Sequence, residues 1–243
     1  MTKTERPESL FPEITADLKD LFGSGLISII LYGSAATPDY RPGKSDVNLL
    51  VVLSDEGKDS LGRMLPLIGS WKKKGLAAPL IMTEREIRAS LDVFPLEFLT
   101  MQRHHVPVFG KDVLRDLSFR REHVRLQCER DLRGKIFLLR SGFLDSEGKT
   151  DRLRKLIAAS LTAVTVLFQG FLFLRDRTIP DTKRAVIEEV NREFAVDGSV
   201  FLQCLDIREG TDRPPGEKIS EIFSRYLEAL DAFGVLIDAH ADR

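Results

Sequence analysis

The chain has 243 residues, 43% hydrophobic and 30% charged, with 36 basic against 37 acidic side chains. That is ordinary globular composition, long enough for one or two domains, and its near-zero net charge gives no global pull toward nucleic acid or an anionic membrane. The opening MTKTERPESLF lacks the apolar core of a signal peptide, and Cys128 and Cys204 lie far apart in apolar surroundings, so the expectation is a cytoplasmic protein with two buried free thiols.

In chain order, residues 9–21 (SLFPEITADLKDL) place Leu10, Ile14, Leu18 and Leu21 at helical spacing, and Gly23 and Gly25 end the run. LISIILY (26–32) and DVNLLVVL (46–53) read as buried strands. A helix-like stretch around 58–74 closes on Lys72-Lys73-Lys74-Gly75, cations at the end of a helix where they are favourable. LAAPLIM (76–82) predicts a shorter strand, with Pro79 marking an edge or an end. Thr83-Glu84-Arg85-Glu86 has the spacing of a capping box. Phe94 to Gln102 predicts a further helix, and HVPVFG (105–110) a last strand.

The character then changes. From about 118 to 240 no strand run stands out. Val124, Cys128, Leu132, Ile136, Leu139 and Phe143 recur every three or four residues, which predicts a long amphipathic helix over 119–144. Further helices are expected at about 149–175, 180–196, 199–207 and 216–239, with Pro180 and Pro214-Pro215 at the breaks. Residues 157–174 are long and apolar enough to raise the question of a membrane span. Ser160, Thr162, Thr165, Gln169 and Gly170 interrupt that stretch, so the expectation is the central buried helix of a bundle, and no membrane partner. Arg121, Arg125, Glu129 and Arg133 recur every four residues opposite the apolar stripe. They read as a solvated charged face, or more sharply as a basic lining for a phosphate or an acidic substrate. His104 and His105 are adjacent and would point to opposite faces of a strand, so they make a poor metal pair. The expected fold class is a small α/β (α+β) domain with a mixed sheet over residues 1–115, followed by an all-α helical bundle over residues 116–243.

The informative stretch is LYGSAATPDYRPGKSDVNLLVVL, residues 31–53. Gly43-Lys44-Ser45 imitates the end of a P-loop. Pro38 stands where that motif needs its first glycine, and a strand rather than a helix follows Ser45. The outer residues carry a different pattern: a strand ends in Leu31-Tyr32-Gly33-Ser34, and after residues 35–45 the next strand opens with Asp46-Val47-Asn48. Gly33 lets the backbone approach a phosphate and Ser34 adds a hydroxyl donor. Side chains at 46 and 48 share one face of a strand, where a carboxylate and an amide oxygen can both meet a cation.

This arrangement resembles the signature of the polymerase-β-type nucleotidyltransferase superfamily, which is an apolar residue, Gly, then Gly or Ser, a spacer, then Asp, an apolar residue and a second carboxylate. FPLEFLTMQRHHVPVFGKDVL (94–114) looks like the end of the catalytic domain in bacterial members. A helical C-terminal domain is similar to the minimal and aminoglycoside-type nucleotidyltransferases. The resemblance implies a nucleoside triphosphate (NTP) as substrate or ligand, held by Gly33, Ser34, Ser45 and Lys44. It implies Mg²⁺ on Asp46 and Asn48, and a small-molecule or protein acceptor bearing a hydroxyl. A homodimer through the helical domain is a further expectation.

Two departures matter. Asparagine stands at position 48, which removes one negative charge from the metal site. The strand expected to carry a third carboxylate, LAAPLIM, has none. Glu84 and Glu86 read as acids of a helix first turn, which leaves Glu97, in an apolar stretch, as the remaining candidate for a partly buried catalytic acid. The sequence therefore supports two readings: a transferase of a nucleoside monophosphate, or a catalytically inactive descendant that serves as a nucleotide-binding or interaction module.

Overall fold

The computed structural model describes residues 7–43, 45–193 and 198–239. It divides into two compact units, Met1–Phe119 and Arg120–Arg243.

In the first unit, α1 (Phe11–Phe22) follows a 3₁₀ turn at Pro7–Leu10 and buries Ile14, Leu18 and Phe22 on one face. The strands are β1 (Leu26–Tyr32), β2 (Asn48–Leu53), β3 (Leu80–Met82) and β4 (His105–Gly110). They form one mixed sheet in the order β3-β2-β1-β4. β1 pairs antiparallel with both β2 and β4, whereas β2 and β3 are parallel. A parallel pair needs a crossover, and here it runs through α2 (Asp55–Lys58), a 3₁₀ turn at Leu61–Met64 and α3 (Leu65–Lys73). The single helix expected around 58–74 is thus broken. Pro66 lies in the first turn of α3, where its missing N–H is harmless and helix initiation is favoured. The Ser54 side chain accepts the Gly57 N–H at the start of α2. Two short helices, α4 (Glu84–Ala89) and α5 (Pro95–Arg103), follow β3.

The two central strands, β1 and β2, are buried on both faces. Val47, Leu49, Val51 and Leu53 share a core with Ile29, Leu31, the α1 residues, Met64 and Trp71. Leu50 and Val52 share the opposite one with Ile30, Ile87 of α4, Phe98 and Met101 of α5, and Leu114. β2 therefore needs apolar side chains at successive positions, which is why it reads as a continuous hydrophobic run. The Trp71 indole N–H donates to Asp17 Oδ2 at 3.0 Å and ties α3 to α1.

The second unit is all helical among the described residues: α6 (Arg121–Asp145), α7 (Thr150–Leu174), α8 (Lys183–Glu193), α9 (Ser199–Glu209) and α10 (Gly216–Asp238). α7 packs against each of the other four. By length and composition alone it could cross a membrane. Ile157, Leu161, Val164, Phe168, Phe171 and Leu172 are nonetheless buried in this bundle. Its polar residues are accommodated internally, Ser160 Oγ lying 2.9 Å from the buried Tyr226 hydroxyl and the Thr165 hydroxyl donating to the Leu161 carbonyl.

Candidate functional site at the corner of β1 and β2

The alternation of β2 decides where its first polar residues point. Odd-numbered residues from Val47 onward enter the core beneath α1, and the even-numbered Leu50 and Val52 enter the core beneath α4 and α5. Asn48 continues the even row. Val47 is held in extended pairing with Leu76, through its N–H to the Gly75 carbonyl and its carbonyl to the Ala77 N–H. This carries the row back to Asp46. Asp46 is exposed and Asn48 half-buried. Among the described residues Asp46 has no ion pair.

Tyr32 is the direct cross-strand partner of Asn48. The chain then turns at Gly33, with φ +76°, into a short 3₁₀ turn, Gly33–Ala36. A Cβ on Gly33 would stand 3.2 Å from Asn48 Nδ2, so the glycine and the amide are packed together. The turn closes on Thr37, whose N–H and hydroxyl both donate to the Ser34 carbonyl. The first N–H groups of such a turn have no partner within it. Gly33, Ser34, Asp46 and Asn48 thus gather at one corner of the sheet, two from the end of β1 and two from the entry to β2.

The other expected residues fall differently. Ser45 serves its own loop: its hydroxyl accepts the Arg41 N–H, and its N–H donates to the Arg41 carbonyl at 2.9 Å. No helix follows it, which removes the P-loop reading on structural grounds. Lys44 lies outside the described residues. Glu97, expected to be partly buried, is exposed in the first turn of α5, because Leu96, Phe98 and Leu99 take the inward positions around it. Glu84 pairs with Lys111 at 2.6 Å. Glu86 completes the capping box with Thr83 and pairs with Lys58 at 2.8 Å. The Lys58 hydrogen bond, and then that of the Thr83 backbone, hold the Glu86 carboxyl below its ordinary range. Residues 77–79, which run beside Asn48 when the β2–β3 register is extended, are Ala-Ala-Pro. Among the described residues no group of three or more His, Cys, Asp or Glu side chains is placed to hold a metal ion. One carboxylate and one neutral amide fit a single Mg²⁺ completed by substrate oxygens, and do not fit a pair of ions.

The arginine column of α6 is used within the helical unit. Arg121 pairs with Asp176, Arg125 with Glu129 and Arg133 with Asp238. These are ion pairs within the bundle, as expected of a solvated charged face.

The neighbours on the far side of Tyr32 left no signal in the sequence. Tyr32 pairs across β1–β4 with His105, so Asn48, Tyr32 and His105 form one row across the sheet. Burial raises the Tyr32 phenol above its ordinary value. Both ring nitrogens of His105 face acceptors, the Gln102 carbonyl and Asp112 Oδ1, each at 3.0 Å. Gln102 Nε2, with two hydrogens to donate, lies within hydrogen-bond distance of the carbonyls of Leu114, Arg115 and Leu117. This network fixes the start of β4 beside the corner.

The model of the nucleotidyltransferase domain family matches residues 12–101. No curated protein matches the chain in sequence. Among solved structures, the chain is similar to the crystal structure of spectinomycin adenyltransferase AAD(9) from Enterococcus faecialis with ATP and spectinomycin, at 15% identity and a TM-score of 0.51, covering 92% of this chain and 98% of that one. At that identity the likeness is one of fold. It takes in the small mixed sheet with its helices and the helical portion that follows. Residues 12–101, which run across α1, the sheet corner and α5, thus carry the match to the nucleotidyltransferase domain family, within a fold shared with that adenyltransferase.

Proposed function

We propose that the corner formed by Gly33, Ser34, Asp46 and Asn48 binds an NTP with Mg²⁺, and that the protein transfers a nucleoside monophosphate to a hydroxyl of a small-molecule acceptor. The acceptor oxygen would bond to the α-phosphorus as pyrophosphate leaves. The observation that carries this reading is the joint placement of the Gly33-Ser34 turn and the Asp46–Asn48 row at one corner of the sheet, inside the matched domain. The adenyltransferase of the same fold was crystallised with ATP and spectinomycin, which supports a nucleotide and a small molecule as the ligand classes.

A second reading is favoured by one specific finding, the single carboxylate. A nucleotidyltransferase fold with asparagine at 48 and no acid in residues 77–79 would bind nucleotide without turning it over, and would act as a nucleotide-binding or interaction module. Calorimetric titration with each NTP, alongside an assay of pyrophosphate release in wild type and Asn48→Asp, separates the two. Release by wild type supports transfer. Metal-dependent binding without release, with release appearing in Asn48→Asp, supports the inactive reading. Absence of nucleotide binding in every protein would sink both.

We also infer a second copy of this chain as a partner of the helical unit, in the reducing, cytoplasmic setting that two free thiols suit. Leu126, Phe137 and Leu144 of α6 share one face and are exposed, as is Val235 of α10. Light scattering of the purified chain tests this.

A further inference from the structure

Among the described residues the corner offers a cation very little charge before nucleotide arrives. Asp46 is exposed to water. Asn48 is neutral and packed against Gly33. The neighbouring residues 77–79 bring no acid, and Glu84 and Glu86 are held by Lys111 and Lys58. Mg²⁺ dehydrates reluctantly and is usually bound by one or two carboxylates together with substrate phosphates. The missing charge also removes a drive. Carboxylates at both 46 and 48 would repel each other on one strand face until a cation neutralised them, whereas Asp46 beside an amide needs no counter-ion to be stable.

Building on the reading of this corner as an NTP site, we infer that it takes a single divalent cation and takes it only as the metal–nucleotide complex, Asn48 being the residue that prevents capture of the free ion. The triphosphate brings anionic oxygens already bound to the metal, Asp46 adds one charged ligand, and the Asn48 amide oxygen adds a neutral one. Loading is therefore ordered by charge: nucleotide and metal arrive together, and the ion leaves with the nucleotide or its product.

The test uses the full chain, Mn²⁺ in place of Mg²⁺, and the α,β-methylene analogues of ATP, GTP, CTP and UTP. Free Mn²⁺ is followed by its electron paramagnetic resonance signal and analogue binding by calorimetry. Wild type is expected to show no saturable uptake of Mn²⁺ alone below about 1 mM, and uptake of one Mn²⁺ per chain once an analogue is present. At least one analogue should bind tenfold or more tightly with the metal than without it, and Asn48→Asp should take up Mn²⁺ alone at least about tenfold more tightly than wild type. Saturable uptake of Mn²⁺ alone by wild type, lost in Asp46→Ala, would overturn the inference and leave the nucleotide site standing. So would an analogue that binds equally with and without metal, or two Mn²⁺ bound per chain with analogue. Failure of all four analogues to bind wild type in either condition would overturn the nucleotide reading and this inference with it. The wild-type measurements decide the matter even where Asn48→Asp folds poorly.

Discussion

Gly33 and Gly110 both adopt positive φ, at +76° and +75°, but a methyl group added to each meets different neighbours. At Gly33 it would stand 3.2 Å from the end of the Asn48 side chain, which can yield. At Gly110 it would stand 2.0 Å from the Ile27 carbonyl oxygen, which is backbone of β1 and cannot move without disturbing the pairing of Ser28 with Gly110. Gly33→Ala is expected to destabilise the protein by about 1–2 kcal/mol, the strain of a left-handed alanine. Gly110→Ala should cost more than about 3 kcal/mol, because strain and displaced backbone add. Urea denaturation of the two variants checks the order, and equal losses would contradict it. At this scale the sequence showed the chemistry of Asn48 plainly, since a missing charge needs no coordinates to be seen. It did not show that Glu97 is exposed, because three apolar neighbours say only that a helix is buried, not which of its residues faces inward.

The elements divide by how much of their definition is local. β1 and β4 occupy residues 26–32 and 105–110, the bounds their apolar runs suggest. β3 is only Leu80–Met82, because Pro79 has no N–H for the ladder with β2. In α7 the buried face extends almost around the helix, as the packing of α6, α8, α9 and α10 against it requires, which agrees with the bundle helix that its interrupting polar residues led one to expect. The same packing seals the two thiols. Burial pushes Cys128 and Cys204 from 9.0 up to about 12. The folded protein then keeps protons that the unfolded chain would release, so the stability these groups contribute is whole below about pH 9 and is lost as pH rises toward 12. The native protein should therefore leave Ellman's reagent almost unreacted at pH 8, and both thiols should react at once in guanidinium. Rapid labelling of either cysteine in the native state would show that the bundle opens.

At the scale of the whole molecule the open matter is association. The exposed stripe of Leu126, Phe137 and Leu144 lies on α6 beside ion pairs to α10, Arg133 with Asp238 and Arg140 with Asp231. Two such surfaces related by a two-fold axis could cover the apolar stripe and exchange charge partners at its rim. If the stripe mediates a dimer, Phe137→Glu should convert it to a monomer in light scattering, with thermal stability of the monomer little changed because Phe137 is 64% exposed. An unchanged mass for Phe137→Glu would place any dimer contact elsewhere.

The sequence by itself determined the fold class, through the shift from β runs to helical periodicity, and it determined the charge carried by positions 46 and 48, because hydrophobic period and side-chain charge are local properties of the chain. The tertiary structure alone decided which residues share a corner. It placed Tyr32 between Asn48 and His105, turned Ser45 back onto Arg41, and engaged Glu84, Glu86 and the α6 arginines in ion pairs. Those outcomes depend on strand register and on which distant charge lies within reach, and neither is encoded within any single stretch of residues.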